Sequence, residues 1–333
     1  MAGARMSKLG VISALTVTLA LAAVSPASAQ NCQLKLVNTI PIKMMARGTR
    51  PIVTLTLNGV EKPFLLDTGG AATQISRATV QELKLPTREM GGKMMDLYGD
   101  VSIYSARVDT LILGHAQDRS TELPILTSTL GGADLFAGLL AADYMASYDV
   151  ELDFGGGKMN FFSKDHCEGK VVYWNAPGVA IVPMQFRDHH LNIPVLLNGK
   201  PFKATVDTGA PGTTLLAPEA KRVFDLTRES PGIAISSTGP EPRPFEYTFD
   251  TLSLEGIAVG KPRVTVIPDL RGKNDPNNHL ITGTRLQRVN DRDSSEPTML
   301  IGMNILSKLR IFIAFSENKL YITPATTPVP VSD

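Results

Sequence analysis

Two short turns in the chain carry the residue types for acid chemistry, Asp67-Thr68-Gly69 and Asp207-Thr208-Gly209. Two carboxylates held at hydrogen-bonding distance cannot both ionise cheaply. One keeps a proton, and the pair then acts on a water between them as general base and general acid at once. The neighbouring residues suit that arrangement. Gly69 and Gly209 permit a tight loop and present backbone N–H groups, and the hydroxyls of Thr68 and Thr208 can bridge from one loop to the other. Phe64, Leu65 and Leu66 beside one turn, and Phe202 and Val206 beside the other, are expected to bury the loop bases and hold the acids fixed.

The segments that position the two acids repeat. Asn58 to Gly70 reads NGVEKPFLLDTGG and Asn198 to Ala210 reads NGKPFKATVDTGA, each an Asn-Gly hairpin turn whose Gly stands eight positions before the Asp. Alternating apolar residues from Ile52 to Leu57 predict a strand before the first turn, and Pro63 to Leu66 a strand running into Asp67; Leu191 to Leu197 and Phe202 to Val206 do the same for Asp207. Ser76 is placed to cap a short helix containing Ala78, Val80 and Leu83 that stops before Pro86, and a second helix is expected from about Pro218 to Phe224. Ala137 to Met145 reads as a closing short helix, repeated at Leu300 to Leu306, and hairpins follow both. The three glycines Gly155 to Gly157 are a hairpin turn. A phosphate-cradling loop would need Gly-Lys-Ser/Thr leading into a helix, and here Lys158-Met159-Asn160 enters a strand.

Offsets between the copies locate an insertion. The acids are 207 − 67 = 140 apart, whereas the closing motifs are 301 − 140 = 161 and 315 − 154 = 161 apart, so the second copy holds 21 extra residues. Their natural place is Arg271 to Pro297, polar and without periodicity, which reads as a surface insertion or a lid over the substrate.

The 333 residues suffice for two lobes with their own cores, and the formal net charge of +1 points to no nucleic-acid partner. Arg5 and Lys8 precede an apolar run from Leu9 to Val24 and small residues Ser25 to Ala29, so residues 1–29 read as a signal peptide rather than a retained anchor. Export to the periplasm or beyond the cell is the expectation, with no membrane association after cleavage. Cys32 and Cys167, the two cysteines, then meet an oxidising compartment; they either close a disulfide between the N-terminal segment and the interlobe linker or stay as two thiols. His115, His166, His189, His190 and His279 are scattered without metal-ligand spacing and read as surface or strand residues, so no metal site is expected.

With these residues in place, the chain resembles the aspartic proteases, and within them the retropepsin-like branch: each Asp-Thr-Gly is followed by a small residue, Gly70 or Ala210, and each half ends in a paired-hydrophobic closing motif. It looks like an exported bacterial protein with two retropepsin-like lobes fused in one chain, residues 30–170 and 171–333. The resemblance implies an all-β fold with few short helices, built as two pseudo-symmetric acid-protease β-barrel lobes with the active site in the cleft between them. It implies an aspartic endopeptidase, with Asp67 and Asp207 as catalytic acids, Thr68 and Thr208 interlocking, Gly69 and Gly209 shaping the loops, and Tyr98-Gly99 as a candidate flap tip. The expected partner is a polypeptide substrate lying extended across the cleft, with no cofactor and the chain acting as a monomer. The alternative is a peptide- or protein-binding module that retains the fold without turnover.

Two departures carry expectations of their own. Where a glycine belongs in the first closing motif the chain has Ala141, against Gly302 in the second, and its methyl group threatens to crowd the loop beneath Asp67. Gly70 and Ala210 offer no side-chain hydroxyl to the carboxylates, unlike the Ser or Thr of pepsin-like enzymes, which predicts a less acidic working range.

Overall fold

The two Asn-Gly turns set the register of the sheets that carry the acids. Asn58 and Gly59 take φ of 49° and 85°, and Asn198 and Gly199 take 45° and 73°, mirror-image turns whose twist matches that of the flanking strands. They join Arg50–Leu57 to Val60–Asp67 and His190–Leu197 to Lys200–Val206, with Leu57 opposite Val60 and Leu197 opposite Lys200. Each Asn also pins the next strand of its lobe: Asn58 Oδ1 accepts from Thr110 N at 2.9 Å, and Asn198 Oδ1 from Asp250 N at 2.8 Å. Along Arg50–Leu57 the side chains of Val53, Leu55 and Leu57 are buried while Thr54 is exposed, the alternation of a sheet with one face on a core.

The computed structural model describes Met1 and residues 32–45, 49–95, 101–126, 135–235, 243–268, 281–282 and 297–325. The signal-peptide reading, the candidate flap tip Tyr98-Gly99 and most of the 271–297 insertion lie outside the described residues. Within the insertion, Ile281–Thr282 pairs in parallel with Met94–Met95 of the first half.

Among the described residues the strands form three sheets. The first half of the chain forms most of a nine-stranded sheet around Val60–Asp67, and the second half forms a ten-stranded sheet around Lys200–Val206. Six strands drawn from both halves form the sheet between them, in the order Leu36–Pro41, Lys158–Phe162, Asp149–Asp153, Leu309–Ala314, Lys319–Pro324 and Ala180–Pro183. Its two central strands come one from each half and pair antiparallel, from Val150 opposite Ile313 to Asp153 opposite Arg310. Across that seam the buried Glu151 accepts from Arg310 at 2.5 Å, so neither charge is left alone in the interior. One apolar core runs through both lobes and this sheet. The fold is thus all-β with a few short helices and two lobes.

The helices are Arg77–Glu82, Ala142–Met145, Ala217–Phe224 and Met303–Leu306. Ser76 Oγ accepts from Thr79 N at 3.1 Å and caps the first. The closing segments differ from the sequence expectation. Gly138–Ala141 is a strand, parallel to Phe64–Asp67, and only Ala142–Met145 is helical; Met299–Ile301 and Met303–Leu306 repeat that division. A helix would have left the acid-bearing strand without a partner on this side, and the four residues of Gly138–Ala141 are all buried, as suits an inner strand rather than a helix with a wet face.

Candidate active site

Asp67 ends its strand and Asp207 follows immediately on the end of Lys200–Val206, so each acid leaves a paired, buried strand and enters a loop. Asp207 N bonds Ile301 O at 3.0 Å, and Asp67 stands opposite Ala141, which ties each acid to its closing motif. The loops are locked to each other by their threonines. Thr68 Oγ1 donates to Val206 O at 2.7 Å and accepts from Thr208 N at 3.1 Å; Thr208 Oγ1 donates to Leu66 O at 2.7 Å and accepts from Thr68 N at 3.0 Å. Both threonines are fully buried. Each hydroxyl uses its one proton and one lone pair across the lobe boundary, so a change in one loop is felt by the other.

The glycines of the two turns are required by proximity. A Cβ on Gly69 would lie 2.3 Å from Asp207 Cγ, and one on Gly209 would lie 2.5 Å from Asp67 Cγ. Each carboxyl group therefore rests on the backbone of the opposite loop. The two carboxyls are close enough for each to shift the other's proton affinity.

Their surroundings are unequal. Asp207 is 3 % exposed and its Oδ1 accepts from Gly209 N at 2.8 Å and Ala210 N at 3.0 Å, while Asp67 Oδ1 accepts from Gly69 N at 3.0 Å. Burial pushes the Asp67 carboxyl well above its ordinary range, the neighbouring Asp207 charge and the interaction with its carboxyl add to the rise, and the N–H groups of Gly69 and Gly70 oppose it. Burial raises Asp207 as well, opposed by the hydrogen bond from Asp67 and the N–H groups of Ala210 and Gly209. Both carboxyls are thus raised, Asp67 the further of the two, and the pair holds a proton to higher pH than ordinary carboxyls do. A pair in this state can take a proton from water at one carboxylate and give one to a developing oxyanion from the other.

The sequence matches the family model described as aspartyl protease over residues 53–144 and 193–305, more than half of the chain, with one acid and one closing motif in each matched stretch. The chain belongs to the aspartyl protease family. No curated protein sequence matches it. Among solved structures, an aspartic proteinase from Irpex lacteus aligns at 12 % identity with a TM-score of 0.48, over 89 % of this chain and 99 % of that one.

Other residues of this aspartyl protease support the acids without having been legible as site residues. Thr73 Oγ1 donates to Asp143 Oδ1 at 2.7 Å and accepts from Ala141 N at 3.1 Å, and Thr73 N donates to Asp143 Oδ2 at 2.9 Å. In the second lobe Thr213 Oγ1 donates to Asn304 Oδ1 at 2.8 Å and accepts from Gly302 N at 3.2 Å. The signal was available. Both threonines stand six residues after their acid, and Asp143 and Asn304 keep the 161-residue offset of the closing motifs. Ala141 does not crowd the first loop, because the residue it faces is Gly70, which has no Cβ; one added there would stand a tight 3.3 Å from the Ala141 methyl.

Cys32 and Cys167 are joined in a disulfide. Of the histidines, His166 is buried rather than on the surface, with Nε2 2.6 Å from Asp149 Oδ2, and His190 is buried on its strand. Among the described residues no group of three or more His, Cys, Asp or Glu side chains is placed to hold a metal ion, and no helix is long and apolar enough to cross a membrane.

Proposed function

We propose that the protein is an exported aspartic endopeptidase that hydrolyses peptide bonds by a water activated between Asp67 and Asp207. The observation that carries this reading is the pair of carboxyl groups, each resting on the opposite loop, with the two loops locked by Thr68 and Thr208. Asp207, as the carboxylate, takes a proton from the water as its oxygen attacks the scissile carbonyl carbon. Asp67 gives its proton to the carbonyl oxygen. In the collapse of the resulting diol, a carboxylate recovers a proton from it and the carboxyl proton passes to the leaving amine, so both acids return to their starting state. The protein supplies position and a shared proton, and the sequence of transfers needs no other group.

An extended polypeptide suits a cleft walled by sheets, where its backbone can be held as an added strand. Export is supported by the Cys32–Cys167 disulfide, a bond that persists in oxidising compartments, and the chain is proposed to act as a monomer because one chain holds both acids. The non-catalytic alternative loses its one support, since Ala141 fits against Gly70.

The test is hydrolysis of denatured casein by purified protein from pH 3 to 7, with and without pepstatin, beside the single variants Asp67→Asn and Asp207→Asn. Each variant is expected to lose at least about a thousandfold in kcat. The proton on Asp67 survives to higher pH than on an ordinary carboxyl, so the working range is expected above that of a gastric-type enzyme. Full activity in either variant, or none in the parent at any pH, ends the peptidase reading.

A further inference from the structure

Among the described residues, four hairpins turn on two residues that both have positive φ. Three place glycine second: Asn58-Gly59, Asn198-Gly199 and Glu255-Gly256, with φ of 85°, 73° and 99° at the glycines. The fourth, between Gln185–Arg187 and His190–Leu197, turns on Asp188 and His189, with φ of 50° and 63°. A histidine stands where glycine would be the relaxed choice, a backbone state that L-residues with a Cβ hold at a cost. Its side chain must be doing something that a glycine cannot.

His189 reaches across the lobe boundary. Its Nδ1 lies 2.8 Å from Ala71 O, and Ala71 is buried in the loop that begins at Asp67, four residues after the acid. A carbonyl oxygen only accepts, so Nδ1 carries the hydrogen and donates. Both the imidazolium and the neutral Nδ1–H form can do so, which makes the contact independent of the charge on the ring. The ring is held from behind: Phe186 lies 6.1 Å away at 35°, and Phe186 stands edge-on to Phe315 at 5.0 Å, next to the interlobe strand Leu309–Ala314. From the interlobe sheet through two aromatic rings to one carbonyl, the second lobe thus grips the acid loop of the first at a point outside the threonine lock.

From this we infer that His189 is a positioning residue for the dyad, fixing the Asp67 loop against the second lobe so that the two carboxyls keep their relative placement. The strained turn is retained for the imidazole. The kinetic consequence rests on the peptidase reading above; the effect on loop order does not.

Two variants separate the side chain from the turn. His189→Gly relaxes the backbone and removes the donor, whereas His189→Asn accepts positive φ and offers an amide N–H near the position of Nδ1. His189→Gly is expected to stay folded, to lower kcat about tenfold with KM changed less than twofold, and to speed amide exchange at Gly69 and Gly70. His189→Asn is expected to restore both readouts to within about threefold of the parent. The inference is overturned if His189→Gly leaves exchange at Gly69 and Gly70 unchanged, or if His189→Asn is as impaired as His189→Gly. Should the parent show no turnover, the peptidase reading falls while the exchange measurements still decide the role of His189.

Discussion

The two lobes hold their acid loops to their closing helices by different means. In the second lobe the loop lies directly on the helix start: Met303 N bonds Ala210 O at 2.8 Å and Asn304 N bonds Pro211 O at 3.1 Å. A Cβ at Gly302 would fall 2.3 Å from Gly212 O, so that close approach demands glycine. In the first lobe no such backbone pair joins Gly70 or Ala71 to the helix among the described residues. There the Asp143 carboxylate makes the link, taking the N–H and the hydroxyl of Thr73 and the N–H of Tyr144, where Asn304 in the second lobe takes only the hydroxyl of Thr213. The added room is where the methyl of Ala141 sits, opposite Gly70. Both lobes make a side-chain link and the second adds a backbone pair to it, and the small residues differ accordingly: Gly70 with Ala141 in one lobe, Ala210 with Gly302 in the other.

That contrast is broken most severely at Gly302. Gly302→Ala drives a Cβ into backbone that has nowhere to move, and a loss of about 3 kcal/mol in urea unfolding is expected, with Ala141→Gly costing less than about 1 kcal/mol. Equal losses at the two positions would mean that the lobes pack alike.

Asp143→Ala leaves both Thr73 donors without their acceptor in a site where Thr73 is 2 % exposed, and about 2 kcal/mol should be lost. Asp143→Asn is expected to recover about half of this, since Asn304 shows that an amide oxygen serves the matching threonine. Gly70→Ala places two Cβ atoms 3.3 Å apart and should cost about 1 kcal/mol, recovered in part when Ala141→Gly is added, which reproduces the arrangement of the second lobe. Additivity of the two changes would show that they do not touch.

The smallest effect reads the inequality of the acids. Asp67 binds its proton more tightly in the folded chain than in the unfolded one, so the stabilisation that proton brings is present at acid pH and is lost as the pH rises through the raised value. The advantage of Asp67→Asn over the parent in melting temperature should therefore grow by about 2 °C between pH 4 and 7.5, and that of Asp207→Asn by less. A larger growth for Asp207→Asn would move the proton to the other acid.

Much of this was legible beforehand. The Asn-Gly turns, the strands they join and the cap at Ser76 depend on residues a few positions apart, and their conformations follow from local chemistry. The repeat of Asp67 and Asp207 in equal contexts identified the acids and suggested the threonine bridge. Gly138–Ala141 read as helix because its apolar run has no period, and only the neighbouring strand Phe64–Asp67 makes it a strand. His189 reads in sequence as a surface or strand residue; it stands in a turn, and nothing near it in sequence announces Ala71, 118 residues away.

The sequence by itself determined that two similar lobes exist, where each acid stands in its strand and turn, and that the difference in length between them falls after the second acid. Only the tertiary structure decided how each loop is joined to its helix, whether Ala141 has room, how the surroundings of the two acids differ, and what His189 holds. Those depend on burial and on groups far apart in the chain meeting within a few tenths of an ångström, and the pattern of residue types along a chain does not carry distances of that kind.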